Sequence, residues 1–166
     1  MFKYITLPLL ATIVGGCMSL PDATPADKAK DYVGLHETED RQELKNLLGV
    51  DPVRTEWCAA FVNSVLEAMN TPSLNTTGHE HPLLARSFLD WGVPIGAADI
   101  QYGDIVVFPR GNIAWQGHVG IFVGRYPPTG EWIILGGNQS NEVNHELFKS
   151  STAIGIRRYP INTLVK

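Results

Sequence analysis

Residues 56–62 read EWCAAFV, and residues 116–121 read QGHVGI. The first stretch places Cys58 at the start of an apolar run with helical spacing, and the second places His118 at the start of a run typical of a β-strand. A thiol on a helix start, followed later in the chain by a histidine on a strand, can supply a nucleophile and its general base. The two stretches therefore predict a fold that brings a helix N-terminus to a strand.

The order of the remaining elements predicts the fold class. Apolar spacing predicts helices over 27–35, 38–48 and 56–69, and a further one from Pro82 to Gly92. Strand patterns follow at 105–108, 118–123 and 132–135, with weaker ones at 143–148 and 153–159. The turn cluster PPTG at 127–130 predicts a hairpin. Helices first and strands second indicate an α+β domain, with N-terminal helices packed on an antiparallel sheet.

The amino-terminal segment has the features of an export signal. Lys3 precedes an apolar stretch from Tyr4 to Val14 that is too short to span a bilayer, and small residues lead to Cys17. Residues 14–17, VGGC, resemble the bacterial lipobox, which implies cleavage before Cys17 and attachment of lipid to its sulfur and new amino terminus. An ordinary signal with a chance cysteine and a retained anchor are the alternatives.

The chain is then expected to divide into a lipoprotein signal peptide at 1–16, the lipidated Cys17 with a proline-containing tether at 17–27, and one globular domain at 28–166. Several acyl chains give stable membrane attachment where one would be marginal. Met18, in place of an aspartate, favours the outer membrane by resemblance to Gram-negative sorting signals. The expected location is the periplasmic face of a bacterial envelope.

The composition narrows the class of protein. Removal of residues 1–16 leaves 150 of 166 residues, enough for one domain with a real core. The formal net charge is −4 and no basic block is present, which argues against nucleic acid as a partner. Cys58 is the one thiol left after lipidation of Cys17, so an internal disulfide is excluded and a reactive thiol is indicated.

The position of Cys58 on its helix favours a reactive thiol. Thr55 is expected to cap the helix over 56–69, which places Cys58 in the first turn. Unpaired backbone N–H groups and the positive end of the helix dipole favour a thiolate there, and a nearby imidazolium would lower the pKa further. The same N–H groups could form part of an oxyanion hole, with Trp57 as a supporting residue. The alternative is a buried structural cysteine that behaves as a small hydrophobe.

His118 is the strongest candidate for the base. In a strand, His118 and Gly120 share one face, and the missing side chain of Gly120 leaves room for the helix that carries Cys58. His79 and His81 flank a glutamate in a polar loop, but their spacing and the lack of an obvious third ligand argue against a metal site. We therefore expect neither a metal nor an organic cofactor.

A histidine base usually needs an acceptor that orients its ring. Residues 136–140 read GGNQS and follow a predicted strand, so Asn138 could accept from the imidazole N–H, with Gln139 as a supporting candidate. A simple Gly-Gly-Asn turn is the alternative interpretation. Asp104 is a rival acceptor, although Gly-Asp before a buried strand more often serves as a turn.

Five ordered motifs resemble the CHAP and NlpC-type cysteine peptidases of bacteria and bacteriophages: WCAAFVN at 57–63, ARS at 85–87, GDIVVF at 103–108, WQGHVG at 115–120 and LGGNQS at 135–140. The resemblance covers about residues 29–159 and implies a compact papain-like α+β fold that hydrolyses amide bonds in peptidoglycan. It implies Cys58 as the nucleophile, His118 as the base and Asn138 as the third catalytic residue. CHAP members often have an acidic residue before this asparagine, and NlpC-type members often have a second histidine; this chain has neither.

The sequence therefore predicts a lipid-anchored cysteine hydrolase of the cell wall, either a peptidoglycan endopeptidase or an N-acetylmuramoyl-L-alanine amidase. Its expected partners are peptidoglycan and the membrane, reached through lipid on Cys17, and its expected state is a monomer. Two other functions fit the same residues. One is a catalytically inert wall-binding lipoprotein, and the other is a thiol acyltransferase that shares the acyl-enzyme step.

Overall fold

The structure, a computed structural model, describes residues 23–159. The expected signal peptide and Cys17 lie outside the described residues. Within this range, no helix has the length and apolar character needed to cross a membrane. The helices are Pro25–Ala29 (α1), Arg41–Leu48 (α2) and Cys58–Ala68 (α3), and the strands are Val93–Pro94 (β1), Ile105–Pro109 (β2), Gly117–Arg125 (β3), Trp132–Gln139 (β4), Glu142–Phe148 (β5) and Gly155–Arg158 (β6). Short 3₁₀ helices lie at Lys30–Tyr32, Pro52–Arg54, Ala85–Asp90 and Ser150–Thr152.

The first helix begins earlier than the expected 27–35. Thr24 and Asp27 form a capping box, in which each side chain accepts a hydrogen bond from the backbone of the other residue. Hydrogen bonds from the backbone N–H and the hydroxyl of Thr24 lower the pKa of Asp27 to about 2. Ala26 and Ala29 are fully buried. Residues 24–27, which the sequence analysis assigned to the tether, are therefore part of the folded domain.

Helix α3 packs on one face of the sheet, and α2 packs on α3. α2 buries Leu44 and Leu48, as their spacing predicted, and ends at Gly49 with a φ of 69°, a conformation that glycine adopts without steric cost. Every residue of α3 from Cys58 to Leu66 is buried, because the helix lies between α2 and strands β3 and β4. α3 is therefore the central helix of the domain.

The expected α-helix from Pro82 to Gly92 is instead a 3₁₀ helix over Ala85–Asp90. The hydroxyl of Ser87 donates to the carbonyl of His81 at 2.7 Å, and local bonds of this kind compete with regular α-helical bonding. Phe88 is nevertheless fully buried, as the apolar spacing predicted.

The six strands form one antiparallel sheet in the order β1-β6-β2-β3-β4-β5. The predicted hairpin joins β3 to β4, and the backbone N–H of Tyr126 closes its turn on the carbonyl of Glu131 at 2.8 Å. The two-residue strand β1 was not predicted, because it has no alternating pattern of its own and forms only by pairing with β6. The predicted arrangement of helices packed on an antiparallel sheet is confirmed.

The two faces of the sheet carry separate apolar clusters. The cluster that faces the helices includes Ile105, Val107, Val119, Ile121 and Leu135. The cluster on the opposite face includes Val106, Phe108, Phe122, Trp132 and Ile134, with Phe148 packed against them. Successive residues of β2 and β3 therefore alternate between the two clusters, as side chains on a strand must.

Strand β3 changes partner half-way along its length. Residues 117–121 pair with β2, and pairing with β4 begins only at Ile121. The second half of β4 is not paired with β3 and packs against α3 instead. A Cβ atom at Gly137 would lie 2.5 Å from Cζ3 of Trp57 and 2.6 Å from Cβ of Phe61, so a residue without a side chain is required there. The first half of β3 is consequently open on the side of β4.

Asp104 forms a buried ion pair at the start of β2. The residue is 2% exposed, and its carboxylate accepts hydrogen bonds from Nε and Nη2 of Arg158, both at 2.7 Å, and from the backbone N–H of Gln101 at 2.8 Å. These bonds raise the pKa of Arg158. Because His118 lies at the other end of β2, opposite Phe108, the rival assignment of Asp104 as its acceptor is wrong.

We expect Asp104→Ala to lower the free energy of unfolding by about 3 kcal/mol, because it leaves a partly buried guanidinium and a backbone N–H without their acceptor. Urea unfolding followed by circular dichroism measures this change. The matched control is Asp31→Ala, which breaks an exposed pair with Lys28 and should change the free energy of unfolding far less. Equal losses in the two variants would contradict the structural role of Asp104.

Candidate active site

Helix α3 begins at Cys58, two residues later than predicted. Trp57 occupies the N-cap position without a side-chain hydrogen bond, and Thr55 is extended, with a φ of −136°, and does not cap the helix. Trp57 donates from Nε1 to Glu37 at 3.2 Å, and its ring packs against Gly137. Trp57 is thus a packing residue, and Cys58 lies in the first turn, as expected.

The thiol of Cys58 lies against the open half of β3. The residue is 3% exposed, and the backbone N–H groups of Val119 and Ala59 lie near its sulfur. Burial nevertheless raises the pKa of the thiol, and the two N–H groups and the positive charge of Arg110 offset this effect only in part. The expectation of a lowered thiol pKa is therefore wrong for the resting structure, because desolvation outweighs the favourable position at the helix N-terminus.

His118 is held by an aromatic ring and an amide. Its ring stacks on Phe148, with centroids 5.5 Å apart and planes 3° apart, and its Nε2 atom lies 2.9 Å from Oε1 of Gln139. The residue is 7% exposed, and burial lowers the pKa of the imidazole below its usual value of about 6.5. His118 is therefore neutral near pH 7.

The side-chain amide of Gln139 fixes the tautomer of His118. Its Nε2 atom donates to the carbonyl of Ile134 (3.2 Å), to the carbonyl of Asn144 (2.8 Å) and to Oδ1 of Asn144 (3.0 Å). Asn144 donates back from Nδ2 to the carbonyl of Gln139 at 3.0 Å. Because the nitrogen end of the amide is surrounded by acceptors, Oε1 must face the imidazole and accept its Nε2–H. Nδ1 is then the basic nitrogen of the neutral ring.

The glycine on the histidine face does not admit α3, contrary to expectation. The face of β3 that packs on α3 carries Val119, whereas a Cβ atom at Gly120 would lie 2.5 Å from Cγ2 of Ile134. Gly120 therefore makes room for a side chain of β4. His118 is part of β3, and Cys58 lies beside the next residue of the strand. The side chains of Cys58 and His118 lie on different faces of the strand.

Asn138 is not the acceptor for the histidine ring. It donates from Nδ2 to Oε2 of Glu56 at 2.9 Å, and Arg110 donates from Nη1 to the same oxygen at 2.8 Å. Asn138 has a left-handed backbone, with a φ of 56°, which interrupts the strand alternation on which the prediction depended. The next residue, Gln139, takes the position at the ring that was expected for Asn138.

Two clefts open beside these residues and adjoin at Arg110. The first has a volume of about 270 Å³ and is lined by Cys58, Glu56, Leu83, Leu84, Ala85, Arg110, Gly111, Trp115, Gln116 and Gly117. The second has a volume of about 410 Å³ and is lined by His118, Pro109, Arg110, Asn138, Gln139, Ser140, Asn141, Glu146 and Phe148. Trp115 is 59% exposed and gives the first cleft an aromatic wall, whereas the second cleft is mainly polar.

Residues 23–159 contain no group of three or more histidine, cysteine, aspartate and glutamate side chains that could hold a metal ion. His79 lies 3.7 Å from Asp90, and His81 lies 3.8 Å from Glu80. The two histidines therefore face separate carboxylates at the surface.

Three residues of the site were not found from the sequence: Glu56, Arg110 and Asn144. Glu56 lies close in sequence to Cys58, and Arg110 directly follows β2. These positions indicated that both residues lie near the site, but not that they form an ion pair with each other. Asn144 lies on β5 opposite Gly136, and nothing in its sequence surroundings distinguishes it from a surface residue.

Comparisons with known proteins find a similarity to a solved structure but no match in sequence. No family model matches the sequence, and no curated protein matches it. A solved NlpC/P60 family protein from Bacillus cereus ATCC 10987 is similar to this chain, with 17% sequence identity and a TM-score of 0.42. The similarity covers 61% of this chain and 31% of the other, so the chain spans about a third of the length of that protein.

We expect the rate at which iodoacetamide alkylates Cys58 to keep rising above about pH 8.5, the midpoint of a free thiol, because burial raises the pKa of this thiol and the thiolate is the reacting species. A Cys17→Ser background makes Cys58 the one cysteine in the chain. Mass spectrometry gives the rate at each pH, with the urea-unfolded chain as the reference. A plateau already reached below about pH 7 would indicate a thiolate–imidazolium pair and contradict the raised pKa.

Proposed function

We propose that this chain is a cysteine hydrolase of amide bonds in peptidoglycan, with Cys58 as the nucleophile and His118 as the general base. The observation that carries the proposal is that α3 packs on β3 with Cys58 beside Val119, the residue that follows His118 on the strand. The backbone N–H of Val119 lies near the Cys58 sulfur, and the adjacent His118 keeps Nδ1 as its basic nitrogen because Gln139 occupies Nε2. General-base activation requires a thiol beside an oriented neutral imidazole.

The reaction would begin from a neutral pair. As Sγ of Cys58 attacks the amide carbonyl, its proton passes to Nδ1 of His118, and the imidazolium then protonates the leaving amine as the C–N bond breaks. Water next loses a proton to the same nitrogen and attacks the thioester, which releases the acid and restores the thiol. Because the two side chains enter from different faces of β3, this proton transfer must take place through the gap where β3 and β4 are unpaired.

The two clefts offer room for both sides of the cleaved bond. The acyl part of the substrate would occupy the cleft at Cys58, against the exposed ring of Trp115. The leaving amine would occupy the polar cleft at His118, where Glu146 supplies a negative charge. Endopeptidase and N-acetylmuramoyl-L-alanine amidase activities are both compatible with these surroundings.

The proposed location follows from the amino-terminal motif. Lipid on Cys17 would hold the domain at the periplasmic face of a bacterial envelope, with the outer membrane favoured, and within reach of the wall. Its partners would then be the membrane, through the lipid, and peptidoglycan.

A catalytically inert wall-binding lipoprotein is the second candidate. The thiol is 3% exposed, its pKa is raised by burial, and its side chain and that of His118 enter from different faces of β3. These are properties of a structural cysteine, and they favour this function over thiol acyl transfer.

We expect the purified chain to release new fragments from peptidoglycan, and Cys58→Ala to release none, because the thiol is the attacking group. Mass spectrometry of the muropeptides measures the fragments, and their masses identify the bond. His118→Ala should lower the rate by a factor of roughly 100 or more, in line with the loss of a general base. His145→Ala, at an exposed histidine on β5, is the matched control and should retain the wild-type rate.

Hydrolysis that survives in Cys58→Ala would rule out the thiol mechanism. If the wild-type chain is folded and its thiol is reduced but no fragments appear, the inert wall-binding function replaces the hydrolase.

We expect the full chain expressed in a Gram-negative bacterium to sediment with the membranes and to carry lipid at Cys17. Cys17→Ser should abolish the lipid and release the chain from the membrane fraction, because the modified atom is the cysteine sulfur. Sedimentation measures the membrane association, and intact-mass spectrometry of the mature chain measures the lipid. A mature amino terminus at any residue other than Cys17 would contradict the lipoprotein signal.

A further inference from the structure

Glu56 places a carboxylate between the two clefts. Its Oε2 atom accepts hydrogen bonds from Nη1 of Arg110 at 2.8 Å and from Nδ2 of Asn138 at 2.9 Å. Arg110 directly follows β2, and Asn138 lies near the end of β4, so two separate strands present their donors to one point. In the resting structure both N–H groups donate to one carboxylate oxygen, so a carboxylate is the chemical group that fits these donors.

This point lies beside the groups that would carry the reaction. Arg110 lines both the cleft at Cys58 and the cleft at His118. Its positive charge lowers the pKa of both groups, which places the guanidinium within electrostatic reach of each. A carboxylate bound by Arg110 would therefore lie next to the amide under attack.

The contact made by Glu56 can be exchanged for another carboxylate. The side chain of Glu56 is 77% exposed and that of Arg110 is 51% exposed, and water screens ion pairs of this kind. Among the contacts within residues 23–159, Arg110 donates to Glu56 from Nη1 alone. The contact with Glu56 uses only one carboxylate oxygen. The remaining N–H groups of Arg110 can therefore donate to an incoming carboxylate, so that both of its oxygens are bound.

We propose that Arg110 and Asn138 form the subsite for a free carboxylate of the substrate, and that Glu56 occupies this subsite until the substrate displaces it. The substrate class is a peptide that carries a free carboxylate, rather than a carboxamide, close to the cleaved amide. The identity of that amide rests on the proposed function, whereas binding of the carboxylate does not require turnover.

Binding is measured by titration calorimetry on the full chain with Cys58→Ala, so that no peptide is consumed. The probes are a peptidoglycan stem peptide with free carboxylates and the same peptide with those groups converted to carboxamides. We expect the acid peptide to bind roughly tenfold more tightly, because it alone forms charge-assisted hydrogen bonds with the guanidinium. Arg110→Gln should remove this preference, and Asn138→Ala should reduce it.

Arg125→Gln is the matched control for the loss of one positive charge. Arg125 lies at the far end of β3, over the rings of Phe122 and Trp132, and its replacement should leave the preference unchanged. Glu56→Gln gives an independent test. Since it removes the competing internal carboxylate, the acid peptide should bind several-fold more tightly while binding of the amide peptide stays constant.

Equal binding of the two peptides, binding of neither, or a preference that survives Arg110→Gln would overturn the carboxylate subsite. The hydrolase function fails separately. If the chain with its thiol intact binds the acid peptide preferentially but releases no product, the subsite stands and the catalytic proposal does not.

Discussion

The close approach of β4 to α3 at Gly137 is the constraint on which the rest of the site depends. Only a hydrogen atom fits between this backbone and the side chains of Trp57 and Phe61, so β4 can leave β3 and run along the start of the helix. Because β4 departs there, Val119 has no partner on β4, and the sulfur of Cys58 lies near its backbone N–H. A packing requirement of the core thus determines the surroundings of the thiol.

Burial, more than charge, determines the protonation of the two candidate reactive groups. Desolvation disfavours the thiolate of Cys58 and the imidazolium of His118 alike, so the resting pair is neutral. The positive charge of Arg110 lowers the pKa of both groups. It therefore favours the charged form of Cys58, the thiolate, and the neutral form of His118. A substrate that binds this arginine would therefore change the pKa of both groups.

Much of the fold could be predicted because local patterns determine it. The α2 helix, the β3–β4 hairpin and the first-turn position of Cys58 follow from apolar spacing and turn residues. The site was harder, because strand alternation was assumed to continue through residues 136–139. The left-handed backbone of Asn138 ends that alternation and gives Gln139 the contact with the imidazole. A single backbone angle that no sequence pattern reveals thus determined which amide lies at the ring.

The position of Thr24 shows at which end of the sheet the described part of the chain begins. Thr24 packs against Gly103, because a Cβ atom added at Gly103 would lie 2.7 Å from Cβ of Thr24. Gly103 directly precedes β2, at the end opposite to Phe108 and His118. Seven residues lead from Cys17 to Thr24, a reach of about 25 Å when fully extended. If Cys17 carries the proposed lipid, the attachment to the membrane and the two clefts lie toward opposite ends of β2.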